Sequence, residues 1–476
     1  MSMMADRAPV IVWFRDDLRL ADNPALDAAS ASGAPIIPLF ILDETSGVRP
    51  LGAASHWWLD KSLAALARAL EAVGARLILR RGGASDVLSR LVKETGARAV
   101  CWNRAYEPRA AARDARIEAA LARRGIAART FDAALLTPPG SVRTGEGGAF
   151  KQFTAFWRAA RTRLTDVAVL AAPARLAPPA AWPTSEPLAD WALHPIRPDW
   201  SGGFSIWTPG EAGAAERLDR FIDEGLAGYA ERRDRPDADG SSRLSAHLRW
   251  GEISPRQVWR TVQTALVVGP AHARDVEKFL SELGWREFNW QLLNDFPDLA
   301  VRNVQPRFDR FAWRDDLAGI EAWRRGLTGY PMVDAGMREL WTTGFMHNRV
   351  RMVAASFLTK HLMVDWREGE VWFWDTLVDA DAANNAANWQ WVAGCGADAA
   401  PYFRVFNPTL QGQRFDPDGA YVRRWIPELR ALPTALIHEP WRAAPLESGG
   451  YPQPIVRHDR ARARALAAYA DLKEVA

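Results

Sequence analysis

Short apolar runs rich in β-branched and aromatic residues alternate with helical patterns through about the first 135 residues. The runs are residues 9–14, 35–42, 76–80 and 97–103. This alternation predicts βαβ units, which build a doubly wound parallel sheet. No GxGxxG follows the first run and no GxxxxGK[ST] occurs in the chain, so the sequence predicts neither an ordinary dinucleotide site nor a P-loop.

The rest of the chain has a different pattern. From roughly 136 to 200 it is rich in Pro, Gly and Ala, with one helical stretch at about 150–164, which is typical of a long ordered linker. After Pro209 amphipathic helical patterns follow one another, and strand-like runs nearly disappear. We therefore predict an α/β domain over 1–135, a linker over 136–200 and a mainly α domain over 201–476.

Composition narrows the class of protein. The 476 residues are 48% hydrophobic and 25% charged, and no apolar run has the length of a membrane span or the form of a signal peptide. Cys101 and Cys395 are the only cysteines, so neither a disulfide framework nor a cysteine metal site is predicted. A net charge of +3 does not by itself indicate a nucleic-acid partner. We expect a cytoplasmic protein.

The segment 372–404 combines acidic, amide and indole side chains in a way that plain core or plain surface does not. These side chains are Asp379, Asp381, Asn384, Asn385, Asn388, Trp389 and Trp391. Carboxylates and amides can hydrogen-bond to the polar edge of a flat heterocycle, while indoles stack on rings or pass electrons. Each residue taken singly fits a buried helix with satisfied polar groups equally well. The segment as a whole predicts a ligand.

A serine-rich segment, SSRLS at 241–245, directly precedes a helical stretch. Hydroxyls and a guanidinium at a helix start form a suitable cradle for a phosphate, because the first N–H groups of a helix are free. A simple N-cap with solvent-facing serines would give the same pattern. The segment is therefore a candidate anion site.

Two helical patterns place polar residues on shared faces. On the helix predicted at 276–293, residues at three- and four-residue spacing predict a site lining, although an amphipathic surface with an i,i+4 ion pair is the alternative. These residues are Glu282, Trp285, Arg286 and Asn289. The motif MHNRVRM groups Asn348, Arg349 and Met352, with Arg351 on another face. Neither HExxH nor GxSxG occurs, so no hydrolytic chemistry and no metal are predicted.

Several long blocks follow one another along essentially the whole chain in the order of a known family. They are VWFRDDLRLADNPAL (12–26), SSRLS (241–245), ELGWREF (282–288), TGYPMVDAGMREL (328–340), MHNRVRMVAASFL (346–358), DWREGE (365–370) and NWQWVAGCGADAAPYFR (388–404). These blocks closely resemble the DNA photolyase/cryptochrome family, and among its members most resemble a bacterial cyclobutane pyrimidine dimer photolyase. The resemblance implies an N-terminal α/β domain, a linker and a helical domain that holds FAD in a U-shaped conformation.

The resemblance also assigns cofactor roles. The residues matched to the FAD phosphates and neighbouring groups are Tyr229, Ser241, Ser242, Arg243, Leu244, Ser245 and Arg286. Arg351, Asp379 and Asp381 match positions around the flavin ring and the ribityl chain, and Asn385 matches the position that faces flavin N5. An amide there can interact with reduced flavin without the fixed charge of a carboxylate.

Three tryptophans, Trp389, Trp366 and Trp313, match the family's chain for photoreducing the flavin. Indoles suit this task because they can be oxidised and can relay the hole stepwise toward the surface. Core packing would account for each tryptophan singly, so the match in position decides the assignment. Trp341 is a candidate for a branch of this chain.

The residues matched to a pocket for a cyclobutane pyrimidine dimer are Glu282, Trp285, Asn348, Arg349, Met352 and Trp391. A dimer must leave the duplex to reach such a pocket. Trp285 and Trp391 offer faces for the two thymines, and Glu282 can hydrogen-bond to the pyrimidine edge and stabilise the radical anion. Arg349 and Arg404 are expected to hold the flanking phosphates. The predicted catalytic residues are Glu282, Asn385 and the three matched tryptophans.

Three positions indicate the subfamily. Relatives acting on (6-4) photoproducts usually carry histidines where this chain has Asn348 and Met352, and signalling cryptochromes commonly replace the amide at Asn385. We therefore predict a monomeric deoxyribodipyrimidine photo-lyase. It would repair UV-damaged DNA by electron transfer from photoexcited, reduced and anionic FAD to a flipped-out dimer. The alternative is a cryptochrome-type blue-light photoreceptor without repair activity.

Two departures from the family pattern concern the cofactors. Phe279 stands where many relatives have a tryptophan near the FAD, and Arg109 and Ala110 stand where folate-binding relatives often present Asn and Glu. Three alternatives for an antenna follow, in order of preference: methenyltetrahydrofolate in a differently lined site, a deazaflavin, or no antenna.

Overall fold

The computed structural model describes residues 8–164, 167–268, 273–398 and 403–474. Its N-terminal part contains a five-stranded parallel sheet in the order β3-β2-β1-β4-β5. The strands are β1 (Val10–Phe14), β2 (Ile36–Asp43), β3 (Ile78–Gly82), β4 (Ala99–Asn103) and β5 (Ala127–Phe131). On the central strand, Val12 lies between Pro38 of β2 and Cys101 of β4. The prediction of a parallel sheet is confirmed.

Side chains of β1 alternate between the two faces of the sheet, as the two-residue period of a strand requires. Val10 and Val12 belong to one apolar cluster, and Ile11 and Trp13 belong to another on the opposite face. Every residue of β1 is buried. The sheet is therefore covered on both faces, which explains the continuous apolar runs in its sequence.

Helices connect the strands and build the C-terminal part. In chain order they are α1 (Pro24–Ala31), α2 (Ala53–Ala72), α3 (Ala84–Thr95), α4 (Pro108–Ala122), α5 (Phe153–Arg161), α6 (Glu211–Arg220), α7 (Tyr229–Arg232), α8 (Ser245–Arg249), α9 (Pro255–Val268), α10 (Ala273–Asp295), α11 (Leu317–Arg324), α12 (Pro331–Thr343), α13 (Asn348–Ser356), α14 (Trp366–Thr376), α15 (Asn384–Ala393), α16 (Pro408–Phe415), α17 (Ala420–Trp425) and α18 (His458–Glu474). Short π-helical turns follow α6 and α13. The mainly α character of the C-terminal part is confirmed. Within the described ranges, no helix is long and apolar enough to cross a membrane.

The predicted linker contacts both parts of the molecule. Backbone hydrogen bonds join it to the sheet side, including Ile36 N–H to the Ala177 carbonyl and Leu176 N–H to the Val73 carbonyl, each at 2.8 Å. Its helix α5 instead packs on α10. These contacts agree with an ordered linker, while the boundaries at 135 and 200 stay predictions.

The segment between β2 and α2 lies directly on α14 of the helical part. The indole Nε1 of Trp374 donates to the Pro50 carbonyl at 2.9 Å, and the Ala53 N–H donates to Asp375 Oδ1 at 2.9 Å. Gly52 lies so close to this helix that a Cβ atom on it would be 2.2 Å from the Trp374 carbonyl oxygen. The two parts therefore meet with backbone against backbone.

We predict that Gly52→Ala destabilises the protein by about 1–3 kcal/mol, because the added methyl group forces α14 away from the sheet domain. Thermal unfolding of the two proteins measures the effect. Gly202→Ala is the matched control, since no atom of the described residues lies within 4 Å of the position its methyl group would take. Equal midpoints for Gly52→Ala and the parent would contradict this account of the interface.

Candidate functional site

The amide of Asn385 lies on α15 and is buried. Its Nδ2 donates to Oε1 of Glu370 at 2.8 Å and to the backbone carbonyl of Glu370 at 2.9 Å. Glu370 lies on the neighbouring helix α14 and is itself paired with Arg49, which precedes α2. Because both amide hydrogens have partners, Oδ1 of Asn385 is turned away from Glu370. The residue predicted to face flavin N5 is thus held in one orientation.

Asp381 fixes the start of α15. Its Oδ1 accepts the backbone N–H groups of Ala383 at 2.9 Å and Asn384 at 2.6 Å, and its Oδ2 accepts from Asn384 Nδ2 at 2.7 Å. A carboxylate that accepts the free N–H groups of a helix start stabilises that start. In turn, Asn384 Oδ1 accepts from Asn289 Nδ2 at 2.8 Å, which joins α15 to α10.

Asp379 links three separate parts of the chain. The guanidinium of Arg351 on α13 donates to both of its carboxylate oxygens, at 3.1 and 2.8 Å. The Ser245 hydroxyl, at the first residue of α8, donates to Oδ2 at 2.6 Å. A planar guanidinium that bonds to both oxygens of a carboxylate fixes the orientation of the carboxylate and balances its negative charge. The structure therefore brings together three residues that the sequence predicted as cofactor-binding.

The serine-rich segment before α8 contains a strained residue. Arg243 has a φ of 52°, in the left-handed region that a residue with a side chain seldom adopts. Its buried Nε has no hydrogen-bond partner among the described residues, and an unsatisfied buried donor is unfavourable. Ser241 and Ser242 beside it are half-buried. Since α8 has only five residues, these side chains rather than a helix dipole would bind a phosphate.

Two further residues matched to FAD lie in the apolar cluster around this segment. Leu244 and Tyr229 are buried, and the ring of Tyr229 packs edge-on against Phe279 at 5.5 Å. Burial raises the pKa of the Tyr229 phenol well above its ordinary value, so the ring stays neutral. Phe279 therefore supplies an aromatic contact at the position where many relatives have tryptophan.

Arg286 bridges the segment that follows β5 and helix α8. It donates to the Ala134 carbonyl at 2.9 Å and the Leu248 carbonyl at 3.5 Å, and it lies 3.3 Å from Oε1 of Glu287. Glu287 also accepts the Thr137 N–H at 2.9 Å. The structure thus places Arg286 beside the helix that follows the serine-rich segment.

The two charged residues predicted for the dimer pocket have partners in the turn that follows α7. Glu282 forms ion pairs with Arg233 and, at 3.0 Å, with Lys278. Arg349 donates to Asp234 Oδ2 at 2.8 Å. The neighbouring residues Arg233 and Asp234 therefore hold one acidic and one basic side chain of the predicted pocket.

The two predicted stacking tryptophans are connected through a shared pair of residues. Trp285 stacks on Phe153 of α5 with ring centroids 3.9 Å apart and an interplanar angle of 10°. Trp391 donates from Nε1 to the Asp398 carbonyl at 3.1 Å, and Asp398 Oδ2 accepts the Phe153 N–H at 3.2 Å. The middle of the predicted 388–404 block, residues 399–402, lies outside the described residues.

The start of α13 depends on a buried histidine. His347 Nδ1 accepts the N–H of Arg349 at 3.2 Å. Burial lowers the pKa of His347 to about 4, so at neutral pH the imidazole is uncharged and can accept this bond. On this helix Asn348 is exposed, and Met352 is half-buried against the core. Arg404 is exposed, and its carbonyl accepts from Lys360 Nζ at 2.5 Å.

Helix packing brings the matched tryptophans into one apolar cluster. Trp389 lies against α14 at Gly369, where a Cβ atom would be 2.0 Å from the indole ring, so only glycine allows this approach. Trp366 on α14 is fully buried and donates to Asn303 Oδ1 at 2.9 Å, while Trp313 is only partly buried. That the three pass charge in this order stays a prediction.

Trp341 lies at the surface, at the edge of this cluster. Its indole stacks between Trp200, at 5.7 Å, and Trp372, at 5.8 Å, and it is 49% exposed. Its proposed role as a branch of the electron path remains a prediction.

The sequence reasoning missed four residues that hold the site together: Arg49, Glu370, Arg233 and Asp234. Glu370 lies in the DWREGE block and Arg233 and Asp234 lie in ERRDR, so alternating charge was their only local signal. Arg49 has no such signal, because its partner is 321 residues away.

Family models match two parts of the chain. The model described as DNA photolyase matches residues 10–179, and the model described as the FAD binding domain of DNA photolyase matches residues 279–471. The second match contains Asn385, Asp379 and Arg351.

Individual proteins are similar over nearly the full length. The chain is 52% identical to the deoxyribodipyrimidine photo-lyase of Agrobacterium fabrum, covering 99% of this chain and 100% of that protein. It is 39% identical to cryptochrome-1 of Arabidopsis thaliana, covering 95% of this chain and 69% of that protein. A solved bacterial class III photolyase from Agrobacterium tumefaciens has a TM-score of 0.95 and 51% identity, covering 100% of this chain and 99% of that one.

We predict that Glu287→Gln removes a pH-dependent part of the stability. Burial raises the pKa of Glu287 to about 7 from an ordinary 4.5, so between these values the folded chain holds a proton that the unfolded chain releases. The parent's stability therefore falls as pH rises through this window, by up to about 3 kcal/mol from this group. The glutamine variant lacks this contribution.

Thermal unfolding of parent and variant at pH 5 and pH 8 measures the difference. Glu146→Gln at an exposed position controls for loss of a carboxylate. The same pH change in parent and Glu287→Gln would show that the group does not titrate in this window.

Proposed function

The chain belongs to the DNA photolyase family and is an enzyme of the photo-lyase class, and from this premise we propose that it repairs cyclobutane pyrimidine dimers in DNA. When bound, reduced and anionic FAD supplies the photoexcited electron that opens the dimer and takes the electron back afterwards. The two bonds between the pyrimidines break without net redox change. The dimer reaches the site by leaving the duplex, as enzymes acting on bases require.

One observation carries this proposal: residues matched to FAD and residues matched to the dimer occur on the same helices. The pairs are Glu282 and Arg286 on α10, Arg351 and Met352 on α13, and Asn385 and Trp391 on α15. Helices rise only about 1.5 Å per residue, so residues one to six positions apart hold their ligands close together. Short-range transfer of an electron needs this proximity.

The chain's own residues provide a fitting donor set for FAD. Arg243, with its unsatisfied buried Nε and strained backbone, is suited to bind phosphate, and the half-buried hydroxyls of Ser241 and Ser242 add donors. The pair of Arg351 and Asp379 would face the polar edge of the flavin. The two kinds of group match two parts of FAD, the anionic pyrophosphate and the hydrogen-bonding flavin ring.

On the dimer side, the stacked pair of Trp285 and Phe153 forms a rigid aromatic wall, and the indole of Trp391 is oriented by its bond to Asp398. Glu282 would exchange one of its cationic partners for the pyrimidine edge, and Arg349 would bind a phosphate next to the lesion. Contacts to phosphate are blind to sequence, which suits a repair enzyme.

The similarity to a cryptochrome favours a second candidate function, a blue-light photoreceptor without repair activity. Purified protein with reduced flavin, irradiated oligothymidine and blue light separate the two. The proposed function predicts recovery of the absorbance of intact thymine under light and none in darkness. A photoreceptor without repair activity would leave the dimers intact under the same light.

A second chromophore, a monomeric state and a cytoplasmic location complete the proposal. We propose methenyltetrahydrofolate in preference to a deazaflavin. Arg109 lines a cavity of about 240 Å³ beside residues 45–48 and donates to the Gly47 carbonyl at 2.9 Å, whereas Ala110 is buried in α4. An absorption spectrum taken before and after release of the chromophores identifies the antenna.

We predict that Glu282→Ala lowers the quantum yield of repair by roughly tenfold, as expected for the loss of a hydrogen bond to a charged group. FAD content should not change, because Glu282 contacts Arg233 and Lys278 rather than the residues matched to FAD. Glu277→Ala on the same helix is the control, since Glu277 pairs with Arg161 at the surface. An unaltered yield in Glu282→Ala would refute the assigned role.

We predict that Trp389→Phe slows photoreduction of oxidised FAD, yet repairs dimers normally once the flavin is reduced chemically. Phenylalanine fits the space of the indole beside Gly369 but is far harder to oxidise. Trp323→Phe is the matched control, because this buried indole lies 6.1 Å from Trp389 and is not part of the predicted chain. Photoreduction as fast as in the parent would indicate another electron route.

A further inference from the structure

An ion pair between half-buried Arg49 and buried Glu370 crosses the interface between the sheet domain and α14. The two terminal nitrogens of Arg49 bond to the two carboxylate oxygens of Glu370 at 2.7 and 2.8 Å, and Glu370 is only 2% exposed. The guanidinium also lies over the indole of Trp374 at 3.9 Å. The planar fork of arginine is suited to hold a carboxylate in one orientation, whereas a lysine provides a single point charge.

The same carboxylate determines how Asn385 is oriented. Asn385 Nδ2 gives its two hydrogens to Oε1 and to the backbone carbonyl of Glu370. If the amide were reversed, its oxygen would face two acceptors and no donor. As long as Arg49 holds the Glu370 carboxylate in place as a hydrogen-bond acceptor, the side-chain oxygen of Asn385 must point away from Glu370.

We propose that Arg49 is a positioning residue for the flavin: through Glu370 it keeps the carbonyl oxygen of Asn385 turned toward flavin N5. This inference rests on the proposed function, from which it takes the position of the ring. Reduction of FAD to its reduced anion takes two electrons from a reductant and one proton from solvent, and that proton is carried on N5. An acceptor oxygen stabilises this N–H, whereas an amide NH₂ group there would oppose it.

The proposal makes the reduced state of the flavin depend on a residue of the other domain. Loss of Arg49 removes the two bonds that hold the Glu370 carboxylate in one orientation. A carboxylate that rotates away leaves Asn385 Nδ2 without one of its two acceptors, so the amide can turn its NH₂ group toward N5. The reduced flavin is then less stable, although the groups matched to the FAD phosphates are untouched.

Redox titration and reoxidation in air test the proposal in the full-length holoprotein. The variants are Arg49→Ala, Arg49→Lys and, as a control at the same interface, Asp375→Ala, which removes the bond to the Ala53 N–H. We expect Arg49→Ala to retain FAD, to show a more negative flavin midpoint potential and to reoxidise in the dark roughly tenfold faster than the parent. Arg49→Lys should be intermediate, and Asp375→Ala should match the parent.

A parent-like potential and reoxidation rate in Arg49→Ala would overturn the proposal, and so would an equal shift in Asp375→Ala, which would indicate general loosening of the interface. If Arg49→Ala does not hold FAD, the lysine variant decides: a parent-like potential there overturns the proposal. Failure of the proposed function is seen separately, since a parent that binds no FAD or repairs no dimers refutes that function. A parent that binds FAD without repair still allows the potentials to be compared.

Discussion

Helix α14 is in very close contact with neighbouring parts of the chain on two sides, and the positions of the residues predicted around the flavin depend on that packing. On one side the indole of Trp389 lies against Gly369, and on the other the backbone of Trp374 lies against Gly52. Interiors packed this densely cannot take up an added methyl group without displacement. Glu370 follows Gly369 directly, so any shift of the helix also moves the partner of Asn385. The core of the helical part and the contact with the sheet domain therefore fix the site together.

Most of the sheet could be predicted because the burial of its central strands is visible in their sequences as continuous apolar runs. Val10–Phe14 is apolar throughout because both of its faces are covered. The edge strand Ala127–Phe131 has no such run, since its residues are exposed or half-buried, and the pattern gave no strand there. The period of a helix likewise shows which face is apolar but not which neighbour covers it. The four-residue spacing of Glu282 and Arg286 was compatible with an ion pair between them on α10. In the structure, Glu282 instead forms ion pairs with Arg233 and Lys278.

In the candidate site, too, some residues could be predicted from the sequence and others could not. Asp379, Asp381 and Asn385 could be singled out because they lie within one short segment of unusual composition. Their partners come from distant parts of the chain: Ser245 is 134 residues from Asp379, and Arg49 is 321 residues from Glu370. Contacts over such separations are set by how elements pack, which no local pattern records. The family resemblance supplied candidate positions for the ligands, and the packing supplies the reasons why those side chains are oriented as they are.

The ion pair of Arg349 and Asp234 has a consequence for binding to DNA. A phosphate that reaches this guanidinium displaces the carboxylate, which then attracts cations itself, so the contact adds little to the net release of cations condensed on the DNA. Under the proposed function, binding is then less sensitive to ionic strength than the number of arginines near the pocket suggests. Intact duplex, which places no pyrimidine dimer in the pocket, gains nothing to offset the broken ion pair. The carboxylate thereby acts as a competitor that favours damaged strands over the large excess of undamaged ones.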